Sequence, residues 1–128
     1  MIRVRAIELR DVPQAERVLA EAYGRPTDHF SIEQRVAVAP ADWIVADLGG
    51  ELCGIVTAAD YDGVAYIGMM AVDPKAQRLG VGNALMLRLV DKLKQCGTRT
   101  MLLDATEAGA KLYRRFGFVE TDRVGVYR

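Results

Sequence analysis

The chain is poor in the residues that metal and disulfide chemistry need. It has two cysteines, Cys53 and Cys96, and one histidine, His29. Two cysteines do not make a disulfide scaffold, and no Cys/His cluster has the spacing of a metal site, so no metal is expected. One cysteine falls in a predicted strand and the other at a helix end. They read as free thiols in a reducing compartment, with a single disulfide as the alternative. Net charge is lacking too, because 17 Lys and Arg balance 17 Asp and Glu. That balance offers no basic face to nucleic acid or to an anionic membrane surface. No apolar run is long enough to span a bilayer, and no signal-peptide h-region is present, so a cytoplasmic location is expected. Neither a Rossmann GxGxxG nor a Walker A loop occurs.

What is present is an ordinary globular composition, 51% hydrophobic and 27% charged over 128 residues. That length suits one domain with a modest core, and residues 1–128 are read as one domain. The organising stretch is Tyr66 to Gly97. Tyr66 to Val72 is nearly unbroken apolar sequence, the pattern of a strand covered on both faces. Asp73-Pro74 ends it, since proline has no N–H for a ladder. After Gln77-Arg78-Leu79-Gly80-Val81-Gly82 comes a helix, with Leu85, Met86, Leu89, Val90 and Leu93 at three- and four-residue spacing. Gly97 suits its C′ position.

That turn has the makings of an anion site. The first N–H groups of a helix lack intrahelical partners, and the macrodipole places partial positive charge there. Gly80 and Gly82 remove Cβ atoms, so a bulky anion can approach the backbone. Arg78 can add a side-chain contact. A tight turn with no ligand is the plainer reading of the same glycines.

The remaining elements follow from period and punctuation. Ile2 to Ala6 alternates as a half-exposed strand. Asp11 is placed to cap a helix using Val12, Ala15, Val18, Leu19 and Ala22, with Pro13 in its first turn. Thr27 to Val38 is a weaker helix candidate. Trp43–Leu48, Glu51–Ala59 and Val64–Val72 are three strands joined at Gly49-Gly50 and Asp62-Gly63. A strand at Thr100–Ala105, a helix at Glu107–Arg115 and one last strand at Val119–Arg128 complete the chain. The order β-α-α-β-β-β-α-β-α-β predicts an α/β (α+β) fold, with a mixed, mainly antiparallel sheet flanked by helices.

The element order, the QxxGxG turn after a central strand, and the run Gly109-Ala110-Lys111-Leu112-Tyr113-Arg114-Arg115-Phe116-Gly117-Phe118 together resemble the GNAT superfamily of N-acetyltransferases. The run Leu103-Asp104-Ala105-Thr106-Glu107-Ala108-Gly109 is similar to a bacterial subset often found as tandem modules. The resemblance covers essentially the whole chain. It implies acetyl-CoA as cofactor, its pyrophosphate on Gln77, Arg78, Leu79, Gly80, Val81 and Gly82, with Asn83 next in line. It implies that Met70, Ala71 and Val72 hold the pantetheine arm by strand-like hydrogen bonds. The Met70 N–H would then stabilise the oxyanion. Gly68 fits a bulge that splays this strand, or else makes room for a bulky neighbour.

Tyr113 matches the family tyrosine that protonates the departing thiolate, although a half-buried core tyrosine fits the residue alone. Some family members carry a glutamate base where this chain has Tyr66. Asp60, Asp104, Glu107 and His29 are the alternatives, or a water chain. Asp104 closes a strand and equally fits a helix cap. Thr106 stands where many members have an asparagine near the pantetheine arm. Tyr23, His29, Phe30, Tyr61 and Tyr66 are candidate acceptor contacts. The expected reaction is direct acetyl transfer to a primary amine of a small molecule, with a peptide or protein amine, or a non-catalytic acyl-CoA-binding module, as rivals. The family usually ends in a two-strand hairpin, whereas one strand is read here after Phe118. A trimmed fold, a sheet completed by a neighbouring chain and a segment of a longer protein are the alternatives, and an unpaired edge bearing Val124, Val126 and Tyr127 leads to the expectation of a homodimer paired along that edge.

Overall fold

The computed structural model describes residues 1–104, 107–121 and 124–127. Seven strands form one sheet in the order β1-β2-β3-β4-β5-β7-β6. They are β1 (Ile2–Ala6), β2 (Trp43–Leu48), β3 (Glu51–Tyr61), β4 (Val64–Val72), β5 (Thr100–Asp104), β6 (Val119–Thr121) and β7 (Val124–Tyr127). Every pairing is antiparallel except β4 with β5. Among the described residues four α-helices flank the sheet: α1 (Val12–Tyr23), α2 (Glu33–Val38), α3 (Val81–Gln95) and α4 (Glu107–Arg115). This is the mixed, mainly antiparallel architecture the element order predicts.

Two apolar layers hold it. On one face Val81, Leu85, Met86, Leu89, Val90 and Leu93 of α3 are buried against Val56, Ile67, Met101 and Leu103. On the other, Val18 and Leu19 of α1 close over Val45 and Ile55, together with Ile32 and Val36. Each fully buried aliphatic side chain stabilises the fold by about 2 kcal/mol. Both layers meet along β3 and β4, so the central strands are fixed from both faces.

Three details differ from the sequence expectation. Thr27 to Val38 is not one helix. It divides into a 3-10 turn at Thr27–His29 and the short α2. The chain after Phe118 makes two strands, and β7 is paired on both sides, by β5 and by β6. The exposed edge passes to the three-residue β6, so the physical reason for expecting dimerisation along β7 is removed. Both cysteines are free, Cys53 buried and Cys96 exposed. Among the described residues no helix is long and apolar enough to cross a membrane.

Asp11 is the third difference. It makes no side-chain cap on α1. Instead the Arg5 guanidinium donates to both its carboxylate oxygens, at 2.7 and 3.0 Å. Arg5 Nε also donates to Asp47 at 3.3 Å, and the Glu8 N–H to Asp11 at 2.8 Å. The cluster ties β1, β2 and the entry to α1 together. Hydrogen bonding from Arg5 holds the Asp11 carboxyl below its ordinary value, against the opposing effect of burial.

Arg5→Met leaves two buried carboxylates without their cation and should cost roughly 3 kcal/mol at pH 7. Because the folded Asp11 value is depressed, its contribution is full above the ordinary carboxyl range and is lost as pH falls through the folded value. Urea unfolding of both proteins at pH 7 and pH 3 should show a gap that narrows in acid. An equal gap at both values would contradict the clamp.

Candidate active site

The start of α3 is built by the turn before it. Asp73 accepts the Lys75 N–H at 2.9 Å and opens a 3-10 turn at Pro74–Ala76. Gln77 Nε2 reaches back to the Val72 carbonyl at 3.4 Å. Arg78 and Gly80 then take left-handed backbone angles, φ 70° and 85°. Gly80 occupies the N-cap with no side-chain cap, and the first intrahelical bond runs from the Ala84 N–H to its carbonyl. The N–H groups of Val81, Gly82 and Asn83 therefore have no acceptor within the helix.

Gly54 on β3 sets where that helix end sits. A Cβ there would lie 2.7 Å from Val81 Cγ1 and 2.9 Å from Leu85 Cδ1, so α3 packs directly on the β3 backbone. Gly82 plays a similar part between helices, since its Cβ would lie 3.1 Å from Leu112 Cδ2 of α4.

β4 carries a bulge. Between the pairs Ile55–Ala71 and Thr57–Gly68, β3 advances two residues and β4 three. The left-handed residue is Met69, at φ 53°. It is not Gly68, and a Cβ on Gly68 would meet nothing within 4 Å, so Gly68 makes room for no neighbour either. Pairing of β4 with β5 stops at Ile67–Leu103. Past that point, among the described residues, no strand lies along the other edge of β4. The Met70 and Val72 carbonyls take side-chain donors instead, the Tyr23 phenol and the Gln77 amide.

The open edge and the helix start face one cleft of about 950 Å³. Met70, Ala71 and Val72 line it from β4, and Gln77, Arg78, Gly80, Val81, Gly82 and Asn83 from the turn and α3. Lys111, Leu112, Tyr113 and Arg115 close it from α4, and Tyr23 from the end of α1. Asp104 is the one carboxylate among its described lining residues, against Arg78, Lys111 and Arg115. Tyr113 is 9% exposed, with its ring 6.1 Å from Phe118. Burial, with a smaller contribution from Tyr23, pushes its phenol up to about 12. At neutral pH it is a proton donor and not a base.

The candidate acceptor residues divide. Tyr23 stands in the cleft, whereas His29, Phe30, Tyr61 and Tyr66 do not line it. His29 and Phe30 stack edge-on at 4.8 Å beside Tyr23, while Tyr61 and Tyr66 are exposed on β3 and β4. Leu79 is 54% exposed and does not line the cleft. Asp60 accepts from the Gly63 N–H and the Thr98 hydroxyl, so it serves the β3–β4 turn. Thr106 and the Glu107 side chain lie outside the described residues. Sequence reasoning missed Lys111 and Arg115, although their spacing of four places both on one helical face.

Residues 5–118 match the model of the Acetyltransferase (GNAT) family. The chain belongs to that family. Its relatives include the ribosomal protein bS18-alanine N-acetyltransferase of Escherichia coli strain K12, 27% identical over 94% of this chain and 82% of that protein. An IAA acetyltransferase of Azospirillum brasilense is 26% identical over 91% of this chain and 79% of its own length. A GNAT family acetyltransferase from Brucella melitensis, solved in complex with acetyl-CoA, superposes with a TM-score of 0.81 at 21% identity, covering 99% of this chain and 87% of that one. This protein is thus an acetyl-CoA-dependent N-acetyltransferase. The cleft suits that cofactor: uncapped helix N–H groups and three cations for phosphates, and an unpaired strand edge for an amide-bearing arm.

The packing is testable apart from chemistry. Gly54→Ala drives a methyl into Val81 and Leu85 and should cost about 2 kcal/mol in urea unfolding. Gly68→Ala enters open space and should cost under about 0.5 kcal/mol. Equal costs would contradict the close seating of α3.

Proposed function

We propose that this acetyltransferase moves an acetyl group directly to the primary amine of a small molecule. The observation that carries the mechanism is that three features converge on one cleft: the uncapped α3 start, the open edge of β4 and the buried Tyr113 phenol. Acetyl-CoA, when bound, supplies an acetyl group activated as a thioester. The Val81, Gly82 and Asn83 N–H groups, with Arg78, Lys111 and Arg115, hold its phosphates. Gln77 braces the turn against β4. The Met70 and Val72 N–H groups face the arm, their carbonyls being taken by Tyr23 and Gln77, and Ala71 contributes its side chain to the wall.

The Met70 N–H donates to the acetyl carbonyl as charge gathers on its oxygen, a contribution of roughly 3 kcal/mol. An acceptor ammonium must first lose a proton, and Asp104 takes it at the point where β5 ends and β4 turns away. Tyr113 gives its proton to the leaving sulfur. Measured against a thiol near 8.5, the buried phenol near 12 is the weaker acid, so the proton would pass only as negative charge develops on the sulfur. The acceptor enters beside Tyr23, with Phe30 and His29 next to it.

A protein amine is the second reading. It is favoured by the ribosomal-protein acetyltransferase, which aligns with 94% of this chain. Thiol release from acetyl-CoA with a panel of small amines and N-terminal alanine peptides decides between the two. Faster turnover of the peptides would replace the small-molecule reading.

Tyr113→Phe should lower kcat by roughly a hundredfold and leave the calorimetric Kd for CoA within about threefold. Gly80→Asp sets a carboxylate and an unfavourable backbone where phosphate should sit, and should weaken CoA roughly tenfold or more. An unchanged kcat for the first, or an unchanged Kd for the second, would remove that residue from the account. Because Tyr113 is active in its protonated form and its pKa is raised to about 12, kcat should show no alkaline fall through pH 10. A fall with a midpoint near pH 8 or 9 would mean another group is the acid.

A further inference from the structure

The Met70 carbonyl has a partner that no strand supplies. Tyr23, the last residue of α1, donates its phenol O–H to that oxygen at 2.8 Å across the cleft wall. The Tyr23 ring is 5.7 Å from Phe30, which packs against the α1 layer of the core. It also stands close enough to Tyr113 to add to the upward shift of that phenol. The bond falls immediately after Met69, the left-handed residue of the bulge.

In an extended strand the N–H and C=O of one residue leave from the same edge. The Tyr23 phenol therefore meets β4 on the edge from which the Met70 N–H projects. We propose that Tyr23 is a positioning residue for acetyl transfer: it holds the Met70 peptide with its N–H turned into the cleft and keeps the carbonyl oxygen from standing bare beside the developing oxyanion. This rests on the reading that the Met70 N–H receives the acetyl carbonyl.

Two effects follow from one bond. The first is orientation. Past the bulge, among the described residues, no strand pairs with β4 on the side that β5 occupies before it. An oxyanion donor works by being set in place beforehand, and the phenol supplies that fixing from the end of α1. The second is electrostatic. A carbonyl oxygen on the same edge carries partial negative charge next to the place where negative charge develops. That repulsion opposes the charge that builds on the acetyl oxygen. The phenol proton offsets it. Neither effect involves a covalent change at Tyr23.

The test is Tyr23→Phe, which keeps the ring and its contact with Phe30 and removes only the hydroxyl. The expected result is a kcat lower by roughly tenfold or more, with KM for acetyl-CoA and the calorimetric Kd for CoA within about threefold. The thermal midpoint should stay near that of the wild type. Tyr23→Ala should be no more active than Tyr23→Phe and should also lose stability. An unchanged kcat in Tyr23→Phe overturns the inference while the acetyltransferase reading stands. A kcat loss matched by an equal weakening of CoA binding also overturns it, because the hydroxyl would then serve the cofactor seat. A wild-type chain that binds CoA but releases no thiol with any amine overturns the underlying reading and this inference together.

Discussion

At Met69 the backbone turns into the left-handed region, and there β4 ceases to follow β5. A non-glycine residue in that conformation costs roughly 1 kcal/mol or more. The cost is offset locally: Met69 packs against the α1 layer, and the next carbonyl accepts the Tyr23 phenol. What the strain produces is a central strand with one edge unpaired inside a folded protein. Such an edge ordinarily invites aggregation. Here it is short and recessed in a cleft that α3, α4 and the end of α1 wall in.

The second requirement is that a helix begin at the same place. α3 starts within the cleft because Gly54 lets it lie on β3 and Gly82 lets α4 approach it. Its first N–H groups are left without a cap. A strand edge and a helix start, each with unpaired backbone donors, thus face one volume with three cations around it. Among the described lining residues Asp104 is the one carboxylate, and it stands beside the strand parting.

Much of this was legible in the chain. Period and turn residues located the strands and the long helix, because burial on one face imposes those periods. The QxxGxG turn and the LY…GF run pointed to α3 and Tyr113 because their chemistry is local. The failures come from contacts between distant segments. The residue at the bulge is Met69, whereas the neighbouring glycine drew attention, since glycine is only the usual occupant of such a position. Asp11 looked like a helix cap, yet Arg5, six residues away and across a strand end, takes its carboxylate. Tyr23 read as an acceptor contact, and no pattern pairs it with a carbonyl at position 70. The last strand read as one piece because its break carries no glycine or proline between Thr121 and Val124.

The central claim is that the open edge of β4 and the start of α3 jointly hold one cofactor. Residue-resolved amide hydrogen exchange, with and without CoA, tests it most directly. The account predicts slowed exchange at Met70 and Val72 and at Val81, Gly82 and Asn83 together, with Ala71, already turned to β3, changing least. Protection confined to the helix start, or absent from both sites while CoA binds, would contradict it.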